Sequence, residues 1–248
     1  MPPDWLPRIF RSTRIGFLVS VLAFVAGCAV VDASVQNPPG TTDPTDPTTP
    51  RVLPVFAPTT STEAEFAAIW VPRNSPFIGI ATAPKDTTAR YVGELQIYTS
   101  DGTTRNGSIR GRLQIDGTFD EYTGTLEVAA GGFAGEIGGV PVTYSGTLSD
   151  LYALDMNPER RTGTIFDPPG PGSWFTADLG GTLVNDASGV ENTLNAGSQI
   201  DGVFRGTGDT LVGDGTFRIT PNGGTSAITG QSTEADASVE VWADRQTP

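Results

Sequence analysis

Residues 121–150 read EYTGTLEVAAGGFAGEIGGVPVTYSGTLSD, and one five-residue phrase occurs three times within them: a bulky apolar residue, any residue, Gly, any residue, then Leu or Ile. The copies are Tyr122 to Leu126, Phe133 to Ile137 and Tyr144 to Leu148. The same phrase stands upstream at Tyr91 to Leu95 and Ile109 to Leu113, and downstream at Leu179 to Leu183 and, closing in Phe, at Ile200 to Phe204. In an extended chain the first, third and fifth positions share one face, so each copy puts apolar, Gly, apolar on one side and its two intervening residues on the other. In the five copies up to Leu148 the intervening pairs are Val92/Glu94, Arg110/Arg112, Thr123/Thr125, Ala134/Glu136 and Ser145/Thr147, of which eight residues in ten are polar. That side is read as facing water. The apolar side continues through Ile97, Ile115 and Val128 and requires a core.

Gly in the middle of an inward face weakens a strand unless the backbone bends sharply or another group comes close. Its recurrence on strand after strand predicts a strongly coiled antiparallel sheet that closes on itself, with Gly where opposite walls approach and bulky neighbours filling the interior. Gly124 and Gly146 are expected to face inward. A flat two-sheet sandwich is the competing architecture. The fold class is therefore all-β: a Gly-rich meander closing into a small, roughly eight-stranded soluble barrel. Asp101-Gly102, Asn106-Gly107, Asp116-Gly117, Gly138-Gly139 and Asn222-Gly223 supply hairpin signals, and together they predict about ten strands between Pro76 and Trp242. Ahead of them, Thr60 with Glu63 and Thr62 with Glu65 both fit a capping box, and Phe66, Ile69 and Trp70 follow at helical spacing, which predicts one short helix. A membrane-spanning barrel needs apolar residues outside, and the Arg110/Arg112 and Thr123/Thr125 faces exclude it.

Composition removes several chemistries. The 248 residues include 31 Gly, 20 Pro, one Cys and no His, and carry a formal charge of −13. Without His there is no Ser-His-Asp triad and no imidazole metal site. One Cys allows neither an internal disulfide framework nor a thiolate zinc site. The acidic balance opposes nucleic acid as a partner. No nucleophile elbow, phosphate loop or dinucleotide fingerprint is present, so neither catalysis nor a cofactor is expected. Gly206 to Gly213 has the look of a calcium-binding turn but lacks tandem copies, and an ordinary hairpin loop is preferred. Asp116, Asp120 and Glu121 form an acidic cluster read as a solvated turn.

The N-terminus stands apart. Arg8, Arg11 and Arg14 precede the apolar run Ile15 to Val25, interrupted only by Ser20, and then Val25-Ala26-Gly27-Cys28. That order is a secretory signal. An uncleaved membrane anchor is the alternative, although the apolar stretch is short of the roughly 20 residues a spanning helix needs. The small residues before the only Cys resemble the lipobox of bacterial lipoproteins, which implies cleavage after Gly27 and a lipid on Cys28. Removal of residues 1–27 takes away three Arg and one Asp, leaving a mature chain of about −15. Ala29 is not the Asp that retains such proteins at the inner membrane, so the resemblance implies the outer membrane, at the cell surface or its periplasmic face. Residues 28–58, with seven Pro from Asp32 onward, read as the lipidated Cys and a disordered Pro/Thr-rich tether.

Ile200 to Phe217, with Gly202-Val-Phe204-Arg-Gly206 leading into Val212-Gly213-Asp-Gly215-Thr-Phe217, resembles the closing strands of the transferrin-binding protein B barrel family of bacterial lipoproteins. Leu113 to Phe119 followed by Tyr122 to Leu126 resembles an internal strand pair of that family. The similarity extends over about Tyr91 to Trp242 and departs at Asp214 and in overall length. It implies a barrel domain at 59–248, with 59–105 as a handle-like portion and 106–248 as the barrel. It also implies a surface or periplasmic receptor for a protein or small-solute ligand, held to the membrane through Cys28. A structural envelope lipoprotein with no soluble ligand is the alternative.

Within the β region, alternation stops between Ser149 and Trp174. Loops that long inside a compact domain tend to be functional, and this one gathers Tyr152, Arg160, Arg161, Phe166 and Trp174, side chains that dominate interface energetics. They are the candidate ligand-binding residues, against the alternative of a short helix and proline turn packed over a barrel end. For the anchor, mature protein is expected to partition into the detergent phase, and Cys28→Ala to abolish this. Mass spectrometry of the mature N-terminus checks it: an unmodified Cys28, or an intact residue 1, overturns the lipoprotein reading.

Overall fold

The bulky apolar residues of the repeated phrases turn to one side, among the described residues, and build a closed antiparallel barrel in the computed structural model, which describes residues 53–121, 123–150, 164–166 and 172–247. The elements are α1 (Glu63–Arg73), β1 (Thr87–Ser100), β2 (Arg105–Phe119), β3 (Thr123–Ile137), β4 (Val140–Asp150), β5 (Thr164–Phe166), β6 (Trp174–Asn185), β7 (Glu191–Leu194), β8 (Gln199–Arg205), β9 (Thr210–Asn222) and β10 (Ala235–Arg245). Eight strands form the ring, in the order β1, β2, β3, β4, β6, β8, β9, β10. It closes because β10 pairs with both β9 and β1. The short strands extend existing rows. β5 pairs with β3 and β6 beyond the end of β4, and β7 pairs with β6 and β9 beyond the start of β8. A sandwich is thereby excluded. β1 is itself a ring strand, so residues 59–105 supply α1 and part of the barrel rather than a handle-like sheet.

The interior is filled by side chains. Leu95, Leu113, Leu126, Leu148, Leu179, Leu183 and Phe217 are fully buried in one continuous core. At one end Tyr91, Phe119, Phe175 and Phe204 pack edge to face at centroid separations of 5.9 to 6.5 Å, an arrangement that aromatic quadrupoles favour. The Tyr91 hydroxyl donates to the Gly208 carbonyl at 2.8 Å, tying the β8–β9 turn over that end. At the other, the connection from β9 to β10 carries Ile228, fully buried, into the core.

The glycines act differently from the sequence expectation. What occupies the place of a missing Cβ is the adjacent strand, not an opposite wall. A Cβ on Gly93 would sit on the Trp242 carbonyl oxygen, one on Gly135 on that of Ser108, and one on Gly215 on that of Gln199. On Gly213 it would lie 2.6 Å from the Asp201 carbonyl oxygen, and on Gly111 2.6 Å from the Phe133 ring. Each pair belongs to hydrogen-bonded neighbours in the sheet. Coiling tight enough to close eight strands swings a neighbour's backbone inward at these points, and only hydrogen leaves room for it.

Gly146 differs from the expected inward position: it is exposed, with φ of 110°, and its Cβ would meet the Thr182 carbonyl. Asn106-Gly107 and Asp116-Gly117 are not turns but lie within the 15-residue β2, where Gly107 and Gly117 relieve crowding from Glu136 and Phe119. Gly138-Gly139 is the expected tight hairpin, with φ of 58° and 80° between β3 and β4. Asp116, read as part of a solvated cluster, is held by Arg90 at 2.6 Å on the outer face.

Gly93→Ala should lower stability by about 1–3 kcal/mol or more, because the clash is with backbone that no rotamer change can relieve. Gly79→Ala, in open space, should change it by less than about 0.5 kcal/mol. Urea melts of both variants check this, and equal losses would sink the account of coiling.

Candidate functional site

Thr59 to Thr62 precede a helix whose N-cap is Thr62. Its hydroxyl accepts from the Glu65 amide while the Glu65 carboxylate accepts from the Thr62 amide at 2.7 Å. Those bonds hold the Glu65 carboxyl below its usual range. Of the two capping boxes written in the sequence, this one forms. It directs α1 along the outer wall, where Phe66 is fully buried and Arg73 pairs with Asp244 at 2.6 Å while lying 5.2 Å over the Trp242 ring.

Ahead of the cap, residues 53–62 run across the outer faces of β1, β2 and β3 as a strap. Its tail is the end of the stretch read as tether. Phe56 lies where a Cβ of Gly131 would be, 2.7 Å from its ring carbon. The Thr59 amide donates to the Gly132 carbonyl at 2.9 Å, and the hydroxyls of Thr59 and Ser61 donate to the two oxygens of Glu94, each at 2.9 Å. Gly131 and Gly132 form a bulge in β3, which keeps Ala130 and Phe133 on the same inner side while making room outside for the strap.

Under the strap lies Arg110. Read from sequence as part of a water-washed face, it is only 5 % exposed. Its Nε donates to the Ser61 carbonyl at 2.9 Å, and Nη1 donates to Ser108 Oγ at 2.8 Å and Gln96 Oε1 at 3.4 Å. No carboxylate approaches it within ion-pair distance among the described residues. Burial pushes its pKa down, while Glu94, Glu63 and Glu65 act through space in the opposite direction.

Beside the strap a groove of about 510 Å³ opens on the outer wall. One bank is Thr59 to Glu63, the other Pro141 to Thr143 of β4, and the floor includes Asn106, Ser108, Arg110, Ala134 and Glu136. Glu63 is fixed at the rim by Arg105 and by Ser108, whose hydroxyl donates to it at 3.0 Å. The lining is rich in hydroxyl groups over a floor that the small residues Ala134 and Gly135 keep open. It offers hydrogen bonds and positioning to whatever lies in it.

Of the sequence-predicted candidates, only Phe166 and Trp174 are among the described residues. Tyr152, Arg160 and Arg161 fall outside the described residues, as does Cys28. Phe166 is in β5, its backbone paired with Thr123 and Trp174. Trp174 starts β6 rather than belonging to a loop, and its side chain is 47 % exposed on the outer wall beside the row of Val203. The groove residues were missed because their burial comes from a strap 40 to 80 residues away in sequence. The available signals were the Thr-Thr-Ser-Thr run at 59–62 and the Gly131-Gly132 pair that breaks the repeated phrase.

Arg110→Met keeps most of the buried stem but removes the bonds to Ser61, Ser108 and Gln96, so exchange of the Thr59 amide should quicken about tenfold or more while that of Phe204 and Leu211 stays unchanged. Hydrogen-exchange NMR measures it, and an unchanged Thr59 amide would show that Arg110 does not hold the strap. The chain matches no family model, no curated protein and no solved structure.

Proposed function

We propose that the chain is a lipid-anchored binding protein of the bacterial cell envelope, tethered through Cys28 to the outer membrane, that takes its partner on the outer wall of the barrel. The filled core carries this reading. With Leu95, Leu113, Leu126, Leu148, Leu179 and Leu183 fully buried together, the interior is not laid out as a ligand chamber, which turns attention to the wall. There the groove beside the strap combines concavity with a buried guanidinium and a polar rim, the combination that orients a ligand. The lipobox-like Val25 to Cys28 and the Pro-rich stretch that follows support the anchor, and the strand similarity to the transferrin-binding protein B family supports a receptor-like role.

The test compares wild type with two variants in capture from serum or growth medium, identified by mass spectrometry. Ala134→Trp fills the groove floor without touching the strap's hydrogen bonds, and it should abolish capture with a melting temperature within a few degrees of wild type. Replacement of Tyr152, Arg160, Arg161 and Phe166 by Ala should leave capture intact. The reverse result would move the site to the 151–166 region, and no specific retention by any of the three would favour a structural envelope protein.

A further inference from the structure

Resting on the reading of the groove as the binding site, we infer that it recognises the uncharged carbonyl of an extended peptide, with Arg110 Nη2 as the donor, rather than a free anion. Arg110 has two of its three nitrogens committed: Nε to the strap carbonyl of Ser61, and Nη1 to Ser108 and Gln96. Nη2 makes no hydrogen bond among the described residues, although the side chain is 5 % exposed and lines the groove. A guanidinium held this firmly presents its remaining N–H groups in a fixed direction, and in a partly desolvated site each such donor gains from an acceptor.

Charge selects the kind of acceptor. Glu94, Glu63 and Glu65 already compensate Arg110 through space, and Glu136 stands on the groove floor. A further anion would meet several carboxylates for one cation, whereas a carbonyl takes the hydrogen bond without that repulsion. Shape points the same way. The banks are an extended strap and a strand, and the lining sets the small apolar side chains of Ala134 and Pro141 beside the hydroxyl of Thr60. An elongated groove with extended banks and both polar and apolar lining suits a peptide backbone laid along the wall.

Two probes distinguish the classes: N-methylacetamide, which carries a neutral peptide carbonyl, and sodium acetate at matched ionic strength. Titrated into the mature protein and followed by ¹⁵N NMR of backbone amides and arginine side chains, N-methylacetamide should shift the Arg110 guanidinium together with the amides of Ser61, Ser108 and Glu136. Acetate should shift them about tenfold less or not at all. Ala134→Trp should erase the N-methylacetamide response while leaving the β8 and β9 amides in place, which shows that loss of binding is not loss of folding. Acetate acting as strongly as N-methylacetamide would overturn the carbonyl assignment and leave the groove itself as a binding site. Silence from both probes, in a protein whose capture of a partner is lost in Ala134→Trp, would overturn the assignment to Arg110 alone.

Discussion

Backbone meets backbone at the inward glycines, and the rest of the molecule depends on that closeness. A side chain at Gly93, Gly135 or Gly215 would stand on a carbonyl oxygen of the neighbouring strand, so a sheet without glycine there would have to flatten. Flattened, β10 would not reach both β9 and β1, and the row of Leu, Ile and Phe side chains would lie open to water. Closure therefore does two things together. It removes the exposed sheet edges that invite association, and it makes a core narrow enough for these side chains to fill.

The outer surface of the filled barrel is not uniformly solvated. The strap and α1 cover part of it, burying Gln96, Ser108 and Arg110 on strand faces that would otherwise be ordinary polar exteriors. Burying a guanidinium is costly unless its donors are met. Here the strap meets Nε with the Ser61 carbonyl and Ser108 and Gln96 meet Nη1, while Glu94 gathers the hydroxyls of Thr59 and Ser61.

The class of fold was legible in the sequence because period-two alternation is local. Apolar residues two apart share a face whatever lies around them, and Gly repeated on that face points to coiling before any partner strand is known. The helix start was equally legible, since a capping box closes within four residues. The hairpin at Gly138-Gly139 could be read for the same reason. Asn106-Gly107 and Asp116-Gly117 carry the same turn chemistry, yet β2 runs straight through them. There the competing demand for close approach by Glu136 and Phe119 comes from the coiled sheet, and nothing within the dipeptide reveals it.

What the sequence determined by itself is the pattern: strands with one apolar, Gly-punctuated face, one capped helix, and an acidic chain with no imidazole and a single thiol. What only the tertiary structure decided is where the polar faces go. Arg110 and Arg112 are written identically, two residues apart on one face of one strand. Yet the first is buried beneath a strap that begins about fifty residues earlier, and the second is exposed. Burial of a strand's outer face depends on which distant segment lies across it. Such a contact follows from the closed surface that the whole ring presents, so residue periodicity along the strand carries no trace of it.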